Sequence, residues 1–298
     1  MELSGRGGLR QDFAPESLKA AQSSVVSPMS GGTARLLFRH QVLGKYPADY
    51  YYDEKIGYIF VREPHWLDEA YSEAISSLDT GILGRNLANI ETISRCLSQN
   101  RRHRVSNGID LGAGYGLFVR GMRDKGIDFS WSDKYCENLL AKGFEAKSGK
   151  YDVAVAFEVL EHLPNPIEFL LSTRKEFKFQ TCFFSATCFD EENLPGADWW
   201  YWAFEGGQHI SFFSMRALLW MAKQLDMRLW HIQGDVFAFS NLEWKPLIES
   251  RPFKLWRRVR NRVGRVLHSR QTAVLESFTW SDHIKIRDKL RNDSGDAV

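Results

Sequence analysis

The stretch Asn107-Gly-Ile-Asp-Leu-Gly-Ala-Gly-Tyr-Gly-Leu-Phe118 decides the fold of this chain. Its apolar start predicts a buried strand, its three glycines a tight turn, and its end the first turn of a helix. Because glycine has no Cβ, the backbone can turn sharply there and approach a ligand closely. The following helix would point its N–H groups and positive dipole end at that ligand. The pattern therefore predicts a nucleotide or nucleoside cofactor at the carboxyl end of a parallel strand.

The spacing of these glycines separates two classes of cofactor. The fingerprint of nicotinamide-dinucleotide proteins is G-x-G-x-x-G, whereas Gly112, Gly114 and Gly116 follow the spacing G-x-G-x-G. Asp110 stands two residues before the first glycine. Its carboxylate would be repelled by a pyrophosphate but tolerated beside a cationic amino-acid group. Spacing and charge together favour a cofactor with a cationic end.

At these positions the chain resembles class I S-adenosylmethionine (SAM)-dependent methyltransferases, whose first motif is D-x-G-x-G-x-G. The segment Asp110-Leu-Gly-Ala-Gly-Tyr-Gly116 matches every fixed position of that motif. The resemblance implies that this segment, Ala113 included, holds SAM. It also implies that Asp133 and Lys134, after the second strand, contact the cofactor, with the Asp133 carboxylate accepting hydrogen bonds from the ribose hydroxyls. The alternative for Asp133 is a helix cap, since a helical pattern follows it.

Two later segments match the same family in order. Val153–Phe157 is a continuous apolar run, typical of a strand buried on both faces. It leads into Glu158-Val-Leu-Glu-His162, which resembles a motif of ubiquinone-biosynthesis methyltransferases. The resemblance implies that Phe157 and Glu158 line the SAM pocket. Residues 180–186 predict the next strand, and the loop after it is rich in aromatic and polar residues, as substrate loops often are.

The order of the predicted elements gives the fold class. Alternating strands and helices predict an α/β fold with a doubly wound, mainly parallel, Rossmann-like sheet of seven strands. The resemblance implies that the final strand is antiparallel. Strands are expected near 107–111, 128–132, 144–147, 151–157 and 180–186, with a closing hairpin of Arg228–Ile232 and Asp235–Phe239.

Composition divides the chain into four segments. The predicted segments are a disordered tail at 1–33, an N-terminal hairpin and helical cap at 34–99, a SAM-binding methyltransferase domain at 100–245 and a basic C-terminal helical segment at 246–298. The hairpin would turn around 55–57. Related bacterial methyltransferases carry a C-x-x-C zinc pair in this region. Here Asp53 and Ile56 stand at those positions, which argues against a zinc site because isoleucine cannot ligate a metal.

Within the helical cap, two polar residues have two possible roles. Arg85 and Asn86 could contact the carboxylate of SAM, or they could belong to an ordinary exposed helix surface, which is the plainer interpretation.

The candidate catalytic residues are His209 and Glu158. A base is needed when the methyl acceptor is a hydroxyl or an acidic carbon, and histidine is the side chain most easily poised near neutral pH. The alternative for His209 is a histidine that fixes its own loop by hydrogen bonds. Its loop, Trp199–Ser214, resembles one in bacterial deoxysugar and surface-polysaccharide methyltransferases, which implies a sugar or glycan-precursor acceptor. Those relatives often have Glu-His where this chain has Gln208-His209.

The aromatic run in this loop also has two readings. The rings of Trp199, Trp200, Tyr201 and Trp202 could stack on an acceptor, or they could form a hydrophobic lid.

A divalent-metal site is a further hypothesis. On a helical turn, residues i, i+3 and i+4 share one face, and two carboxylates with two imidazoles could polarise an acceptor hydroxyl. Some ubiquinone-type and small-RNA terminal methyltransferases, which the motif resembles, use a similar arrangement with metal. We favour the metal-free interpretation from the sequence, in which Glu158 lines the SAM pocket and the others stabilise the turn before Pro164. The candidate ligands are Glu158, Glu161, His162 and His209.

Composition narrows the remaining possibilities. The chain has 298 residues, of which 44% are hydrophobic, so it can bury a substantial core. A formal charge of +2 gives no indication of a nucleic-acid partner. The four cysteines form no C-x-x-C pair, which indicates free thiols in a reducing compartment. No apolar run reaches the ~20 residues that span a bilayer, and no signal-peptide pattern is seen, so we predict a cytoplasmic protein.

One segment allows a membrane contact. Residues 251–270 hold eight Lys or Arg, and their apolar residues approximate one helical face. That pattern permits peripheral docking at the inner face of the membrane. A solvated helix that closes against the catalytic domain is the alternative.

These patterns predict a SAM-dependent methyltransferase that acts on a small molecule or a glycan precursor, by O- or C-transfer. Two alternatives stay open, an NAD(P)-dependent oxidoreductase and a non-catalytic SAM-binding module.

Overall fold

A computed structural model of the chain describes residues 23–71, 78–247 and 279–295. The strands are β1 (Ser24–Val26), β2 (Thr33–Val42), β3 (Tyr46–Asp53), β4 (Tyr58–Val61), β5 (Asn107–Leu111), β6 (Asp128–Ser132), β7 (Val153–Ala156), β8 (Thr181–Ser185), β9 (Cys188–Phe189), β10 (Ser211–Ser214), β11 (Arg228–Gln233) and β12 (Val236–Ser240). The helices are α1 (Leu67–Ala70), α2 (Ile82–Gln99), α3 (Leu117–Asp124), α4 (Pro166–Phe177), α5 (Met215–Gln224) and α6 (Thr279–Gly295). Short 3₁₀ turns occupy Arg101–His103, Leu160–His162 and Trp200–Trp202.

The central sheet has the strand order β11-β12-β8-β7-β5-β6. Strands β6, β5, β7 and β8 are parallel to one another, and β12 is antiparallel to both β8 and β11. Every residue of β7 and β8 is buried, as expected for apolar strands covered on both faces. The predicted closing hairpin and its antiparallel strand are therefore confirmed, and the fold is mixed α/β.

The predicted seventh strand is wrong, because the described part of this sheet has six strands. The segment expected at 144–147 is reduced to one parallel bridge between Trp131 and Glu145. The predicted helix after Asp133 does not form either, and turns and bends fill that stretch. In this connection the side-chain amide of Asn138 is hydrogen-bonded to the backbone of Ala141, which holds the loop in a turn.

A second sheet has the order β1-β2-β3-β4-β10-β9. Strands β1 to β4 form an antiparallel meander, β10 pairs with β4, and β9 adds in parallel to β10. The predicted turn around 55–57 joins β3 to β4, with Gly57 at φ +70°. Two strands of this sheet come from the range predicted as the methyltransferase domain. The N-terminal segment is thus completed by the later part of the chain.

Ordered structure starts earlier than the tail predicted at 1–33 implies. Strand β1 pairs with the first residues of β2, and Met29 in the intervening turn is buried in the core. A three-residue strand is too short to produce a clear periodic signal, so composition alone missed it. Residues 1–22 lie outside the described part.

Helix α2 packs against α3, which in turn packs against the central sheet. Ile90, Ile93 and Cys96 are its buried residues, and the side chain of Ile90 fits against Gly121 of α3. Leu83 and Leu87 of the same helix are exposed. The four cysteines are free thiols, as predicted: Cys96, Cys136, Cys182 and Cys188.

The C-terminal prediction is tested only in part. Helix α6 contacts the rest of the protein through His283, whose Nδ1 lies 3.0 Å from the backbone oxygen of Leu78. The basic stretch 251–270 lies outside the described residues. Among the helices that the structure describes, none is long and apolar enough to cross a bilayer.

Candidate active site

The glycine turn, Gly112–Gly116, joins β5 to α3. Its three glycines have φ values of +76°, +53° and +89°, a backbone region that residues with a Cβ atom rarely adopt. A Cβ on Gly112 would lie 2.6 Å from Cγ2 of Val159, and one on Gly116 would lie 3.0 Å from Cβ of Ala141. A Cβ on Gly114 would meet nothing within 4 Å. Two glycines therefore allow close packing, whereas Gly114 leaves the backbone open on one side.

The helix that follows has a free amino end. Its N-cap residue is Gly116, which offers no side-chain hydrogen bond to the first turn. The N–H groups of that turn are thus available to a ligand. Ala113 is buried within the turn and packs into the core behind it.

Asp133 lies where β6 ends, directly beside the glycine turn. Its Oδ2 accepts a hydrogen bond from the backbone N–H of Gly114 at 2.9 Å. Its Oδ1 accepts two more, from Tyr135 at 2.7 Å and Cys136 at 2.8 Å. The carboxylate therefore caps a turn rather than the predicted helix, and it ties that turn to the cofactor loop. Lys134 is exposed, with its Nζ atom 5.3 Å from the centre of the Tyr135 ring.

Asp110 is buried in β5 beneath the same turn, with 4% of its surface exposed. Burial, and then the nearby charge of Asp133, raise its pKa to about 8. The free protein therefore holds a proton on this carboxyl at neutral pH. A cation placed beside the turn would favour the ionised form.

Phe157 and Glu158 follow the carboxyl end of β7. The Phe157 ring packs 5.4 Å from that of Phe118, at the edge of the core. Glu158 adopts a left-handed backbone conformation, with φ +54°. Ser185 holds it twice, because its Oγ accepts the Glu158 N–H at 2.8 Å and donates to Oε1 at 2.9 Å.

The other carboxylate oxygen of Glu158 faces helix α2. Its Oε2 lies 3.2 Å from Nε of Arg85 in an ion pair. The Nη2 atom of Arg85 also donates to both oxygens of Asp79 at 2.7 Å. Arg85 is thus part of a charged network and not an ordinary helix surface. Asn86 instead donates from Nδ2 to the backbone oxygen of Ile82 at 2.9 Å.

Three of the four predicted metal ligands come together. Glu161, His162 and His209, here called the Glu-His-His cluster, have ligand atoms within 4.8 Å of one another. Glu158 is not in this group. The predicted helical face is wrong, because Glu158 is left-handed and Leu160–His162 is a single 3₁₀ turn. The loop before β10 brings His209 to the other two.

The two imidazoles of this cluster are held in one tautomer. The Nδ1 atom of His162 lies 3.1 Å from the backbone oxygen of Gln208, and that of His209 lies 2.7 Å from the backbone oxygen of Tyr201. Since a carbonyl can only accept, each Nδ1 carries the hydrogen and each Nε2 keeps a lone pair. Burial lowers the pKa of both rings, that of His209 to about 4. Both histidines are therefore neutral at pH 7.

Glu161 is almost fully buried, with 1% of its surface exposed. Its Oε1 accepts a hydrogen bond from the hydroxyl of Tyr201 at 3.0 Å, whereas Oε2 has no hydrogen-bond partner. Burial, and then the charge of Glu158, raise the pKa of Glu161 to about 7. An orphaned carboxylate oxygen beside two imidazole lone pairs can hold a proton or a divalent cation.

The aromatic run of the loop is mostly core. Tyr201 and Trp202 are buried, and Trp199 is half-buried against both of them. Trp200 is 68% exposed and packs 5.2 Å from the Tyr201 ring. The lid interpretation thus fits most of the run, and Trp200 is the ring that is left open to a ligand.

Sequence reasoning missed two contributors to this site and the polar contact of a third. Asp79 and Ser185 hold Arg85 and Glu158, and Tyr201 bonds to Glu161 through its hydroxyl. Only Ser185 left a readable signal, as a polar residue at the carboxyl end of an apolar strand.

Comparison with known proteins identifies the family to which this sequence belongs. The sequence profile of the methyltransferase domain family matches residues 84–232. No curated protein matches the chain. The structure is similar to that of mitomycin 7-O-methyltransferase, at 13% identity over 51% of this chain and 53% of that one, with a TM-score of 0.35.

Two further similar structures contain S-adenosylhomocysteine (SAH). One is magnesium protoporphyrin IX methyltransferase from Synechocystis PCC 6803, at 12% identity over 53% of this chain and 82% of that one, with a TM-score of 0.39. The other is a methyltransferase of calicheamicin biosynthesis, at 11% identity over 60% of each chain, with a TM-score of 0.37. The chain spans about half to three fifths of the length of the mitomycin and calicheamicin enzymes. Because the family profile covers half of the sequence, this chain belongs to the methyltransferase domain family.

Proposed function

We propose that this chain is a SAM-dependent methyltransferase that acts on a small-molecule acceptor. The observation that carries the proposal is the glycine turn, where Gly114 leaves the backbone open between the Asp133 carboxylate and the uncapped start of α3. The proposed cofactor-binding residues are Asp110, Gly112, Ala113, Gly114, Gly116, Asp133, Lys134, Phe157 and Glu158.

The charges around the turn suit a cationic ligand. Asp133 uses its oxygens for three backbone N–H groups, and a carboxylate has further lone pairs for the ribose hydroxyls. Asp110 lies below the turn, where a positive ligand would stabilise its ionised form. A dinucleotide pyrophosphate would face the Asp133 carboxylate without such compensation, so the charges disfavour the oxidoreductase alternative.

The proposed catalytic residues act on the acceptor. When bound, SAM supplies a methyl group activated by its sulfonium. His209 would take the proton of an acceptor hydroxyl at Nε2, since that atom keeps its lone pair and the ring is neutral. Glu158, fixed by Ser185 and paired with Arg85, would orient the amino-acid end of the cofactor. Holding donor and acceptor in line can supply up to about 7–11 kcal/mol of the barrier.

The Glu-His-His cluster also fits a divalent cation. The Oε2 atom of Glu161 has no partner, and the Nε2 lone pairs of His162 and His209 are the donors that such ions prefer. A cation there would polarise an acceptor hydroxyl. His209 would then be a ligand and not a base. Full activity of chelator-treated protein would support the base assignment and remove the metal.

The proposal extends to the class of methyl acceptor. The exposed Trp200 ring close to Tyr201 could stack on a flat apolar face, as sugars and aromatic rings both offer. A glycan precursor fits the resemblance of this loop to polysaccharide-modifying enzymes, and O- or C-transfer remains open. A cytoplasmic location, with peripheral membrane contact through 251–270, remains a prediction.

Cofactor binding is tested by calorimetry with SAH. We expect Asp133→Ala to weaken binding by about 1.5–3 kcal/mol, the contribution of a hydrogen bond to a charged acceptor. Asp128→Ala, at the exposed start of the same strand, is the matched control and should bind normally. Equal affinity in both variants would remove the ribose assignment.

Transfer is tested with SAM that carries a deuterated methyl group. Cell extract is incubated with the protein, and mass spectrometry should reveal a labelled small molecule. Binding of SAM without any labelled product would support the non-catalytic module instead. A thermal shift with NAD and none with SAM would favour an oxidoreductase.

A further inference from the structure

We infer that Gln208 is a positioning residue for methyl transfer, because it fixes the N-terminal part of the chain between the cofactor side and the acceptor side of the site. The inference rests on the proposed function. It gives a role to a residue outside the proposed binding and catalytic sets. Gln208 stands directly before His209, in the loop that leads into β10.

The side chain of Gln208 is hydrogen-bonded to the end of helix α1. Its Nε2 atom donates to the backbone oxygen of Ala70 at 2.7 Å. Ala70 is the last residue of α1, and the last carbonyl groups of a helix have no partner within the helix. The amide of glutamine can donate to this carbonyl oxygen, whereas a carboxylate of the same shape would only repel it. The contact therefore depends on the chemistry of glutamine as well as on its shape.

The main chain of Gln208 holds the Glu-His-His cluster. Its carbonyl oxygen lies 3.1 Å from Nδ1 of His162 and accepts the hydrogen of that imidazole. The next residue is His209, whose own Nδ1 is bonded to the backbone of Tyr201. Gln208 thus joins α1 to the imidazole of His162, through its side chain on one side and its carbonyl group on the other.

The docking of α1 places Tyr71 across the site. Tyr71 directly follows the helix and is half-buried. Its ring stacks on that of Tyr135, with the centres 5.5 Å apart, and the centre of the His162 ring lies 6.3 Å from it. Tyr135 donates its N–H to Asp133, the residue proposed to hold the ribose. Tyr71 therefore bridges the cofactor loop and the Glu-His-His cluster, and under the proposed function the methyl group crosses this gap.

Loss of the side-chain contact of Gln208 should leave the fold intact. Trp66 donates from Nε1 to the backbone oxygen of Gly207 at 2.8 Å, which is a second bond between the same loop and the N-terminal part. Gln208 itself is half-buried, so a substitution of similar size opens no large cavity. A change here should alter how closely Ala70 and Tyr71 are held, while the loop stays folded.

The experiment compares two variants of nearly the same shape. Gln208→Met removes the donor, and Gln208→Glu removes the donor and adds a negative charge. Each is incubated with deuterated-methyl SAM and cell extract at fixed concentration. We expect the maximal rate of labelled product to fall about threefold to tenfold in Gln208→Met, as for loss of one hydrogen bond, and more than about tenfold in Gln208→Glu.

The other readouts separate positioning from a loss of fold or of cofactor binding. The KM for SAM, the affinity for SAH and the midpoint of thermal unfolding should stay close to those of the wild type in both variants. Gln233→Glu, at an exposed position of β11, is the matched control and should keep the full rate. Full rate in Gln208→Glu, or a loss of rate in proportion to a loss of SAH binding, would overturn the inference.

A second measurement does not depend on turnover. The amides of residues 69–71 bond to the backbone oxygens of Trp66 and Leu67. Hydrogen exchange followed by mass spectrometry should show these amides exchanging about tenfold faster in Gln208→Glu, because α1 is no longer held at its end. A wild-type protein that binds no SAH and forms no product would overturn the proposed function. Unchanged exchange at 69–71 would overturn the inference in either case.

Discussion

Asp110 is the residue whose protonation should report most directly on the cofactor. Its pKa is raised to about 8 by burial and by Asp133, so below that pH the free protein keeps the carboxyl neutral. A cationic ligand favours the ionised form and lowers this pKa. Binding should therefore release a proton at neutral pH, and affinity should increase with pH until the carboxyl of the free protein is ionised.

The first prediction follows from this linkage. Calorimetry between about pH 6 and about pH 9 should show SAM binding that strengthens as pH rises, with proton release detected from buffers of different ionisation enthalpy. Asp110→Asn should bind more weakly at high pH and lose the additional pH dependence. Because the ammonium of the ligand titrates equally in both cases, the difference between the curves isolates this carboxyl. Identical curves would show that Asp110 does not face the cationic end.

The second prediction concerns His209. Its neutral ring and free Nε2 make it the proposed base, and its Nδ1 contact with Tyr201 also ties it to the loop. We expect His209→Ala to keep SAH affinity within about threefold and to lose the labelled product. His231→Ala, which changes an exposed histidine on β11, is the control. A fully active His209→Ala would assign this histidine a structural role in its loop.

At the scale of elements, the glycine turn predicts different effects for substitutions at Gly112 and Gly114. A methyl group on Gly112 would clash with Val159, whereas one on Gly114 would enter open space. Both substitutions place a residue with a Cβ atom at positive φ, which destabilises the fold by about 1–2 kcal/mol. Gly112→Ala should therefore lower the free energy of unfolding by about 1–3 kcal/mol more than Gly114→Ala, the usual penalty of overpacking.

Urea unfolding with and without SAH checks this pair. Gly114→Ala should be the better folded variant and the weaker binder, because its methyl group would occupy the ligand side of the turn. Adding Val159→Ala to Gly112→Ala should restore part of the lost stability. If Gly114→Ala binds SAH normally, the open side of the turn is not where the cofactor lies.

The elements also explain which features could be predicted from the sequence. Strands β5, β7 and β8 are short apolar runs beside a glycine motif, so local pattern was sufficient to place them. The residues of the Glu-His-His cluster could be named from the sequence, because a motif supplied Glu161 and His162 and a second loop supplied His209. Their geometry was not predicted, since a left-handed Glu158 is uncommon for a residue with a side chain.

Other features depend on contacts that are distant in the sequence. The pairing of β4 with β10 joins segments about half a chain apart. The sequence of either strand alone does not indicate which strand it pairs with. The same holds for Asp79 and Arg85, which read as an ordinary loop and helix until Glu158 is placed beside them. The predicted seventh strand is reduced to a single bridge at Glu145, because the loop after Asp133 is held in turns by the Asn138 side chain.

For the whole molecule, the second sheet has a role in the site. Trp66 donates from Nε1 to the backbone oxygen of Gly207 at 2.8 Å, and Gln208 donates from Nε2 to that of Ala70 at 2.7 Å. These bonds hold the loop that carries His209 against the N-terminal part of the chain. The backbone N–H of Ile210 also donates to the oxygen of Glu161 at 2.9 Å. The acceptor side of the site is thus built by both parts of the protein.

The last prediction is that the two sheets unfold as one cooperative unit. Ile59 is fully buried in β4 and stands opposite Phe212 of β10. Ile59→Ala should cost about 2–5 kcal/mol, as for other buried large-to-small changes. Because β9 and β10 tie the second sheet to the chain that forms the central sheet, we expect the loss to reach both.

Hydrogen exchange followed by mass spectrometry separates the possibilities. In Ile59→Ala, the most protected amides of β4 and of β7 should lose the same free energy of protection, since both exchange through global unfolding. Val26→Ala, which changes a 73% exposed side chain on β1, should alter neither strand. If β4 loses protection while β7 keeps it, the sheets open separately, and the domain boundary predicted near residue 99 describes the molecule better than a single folding unit.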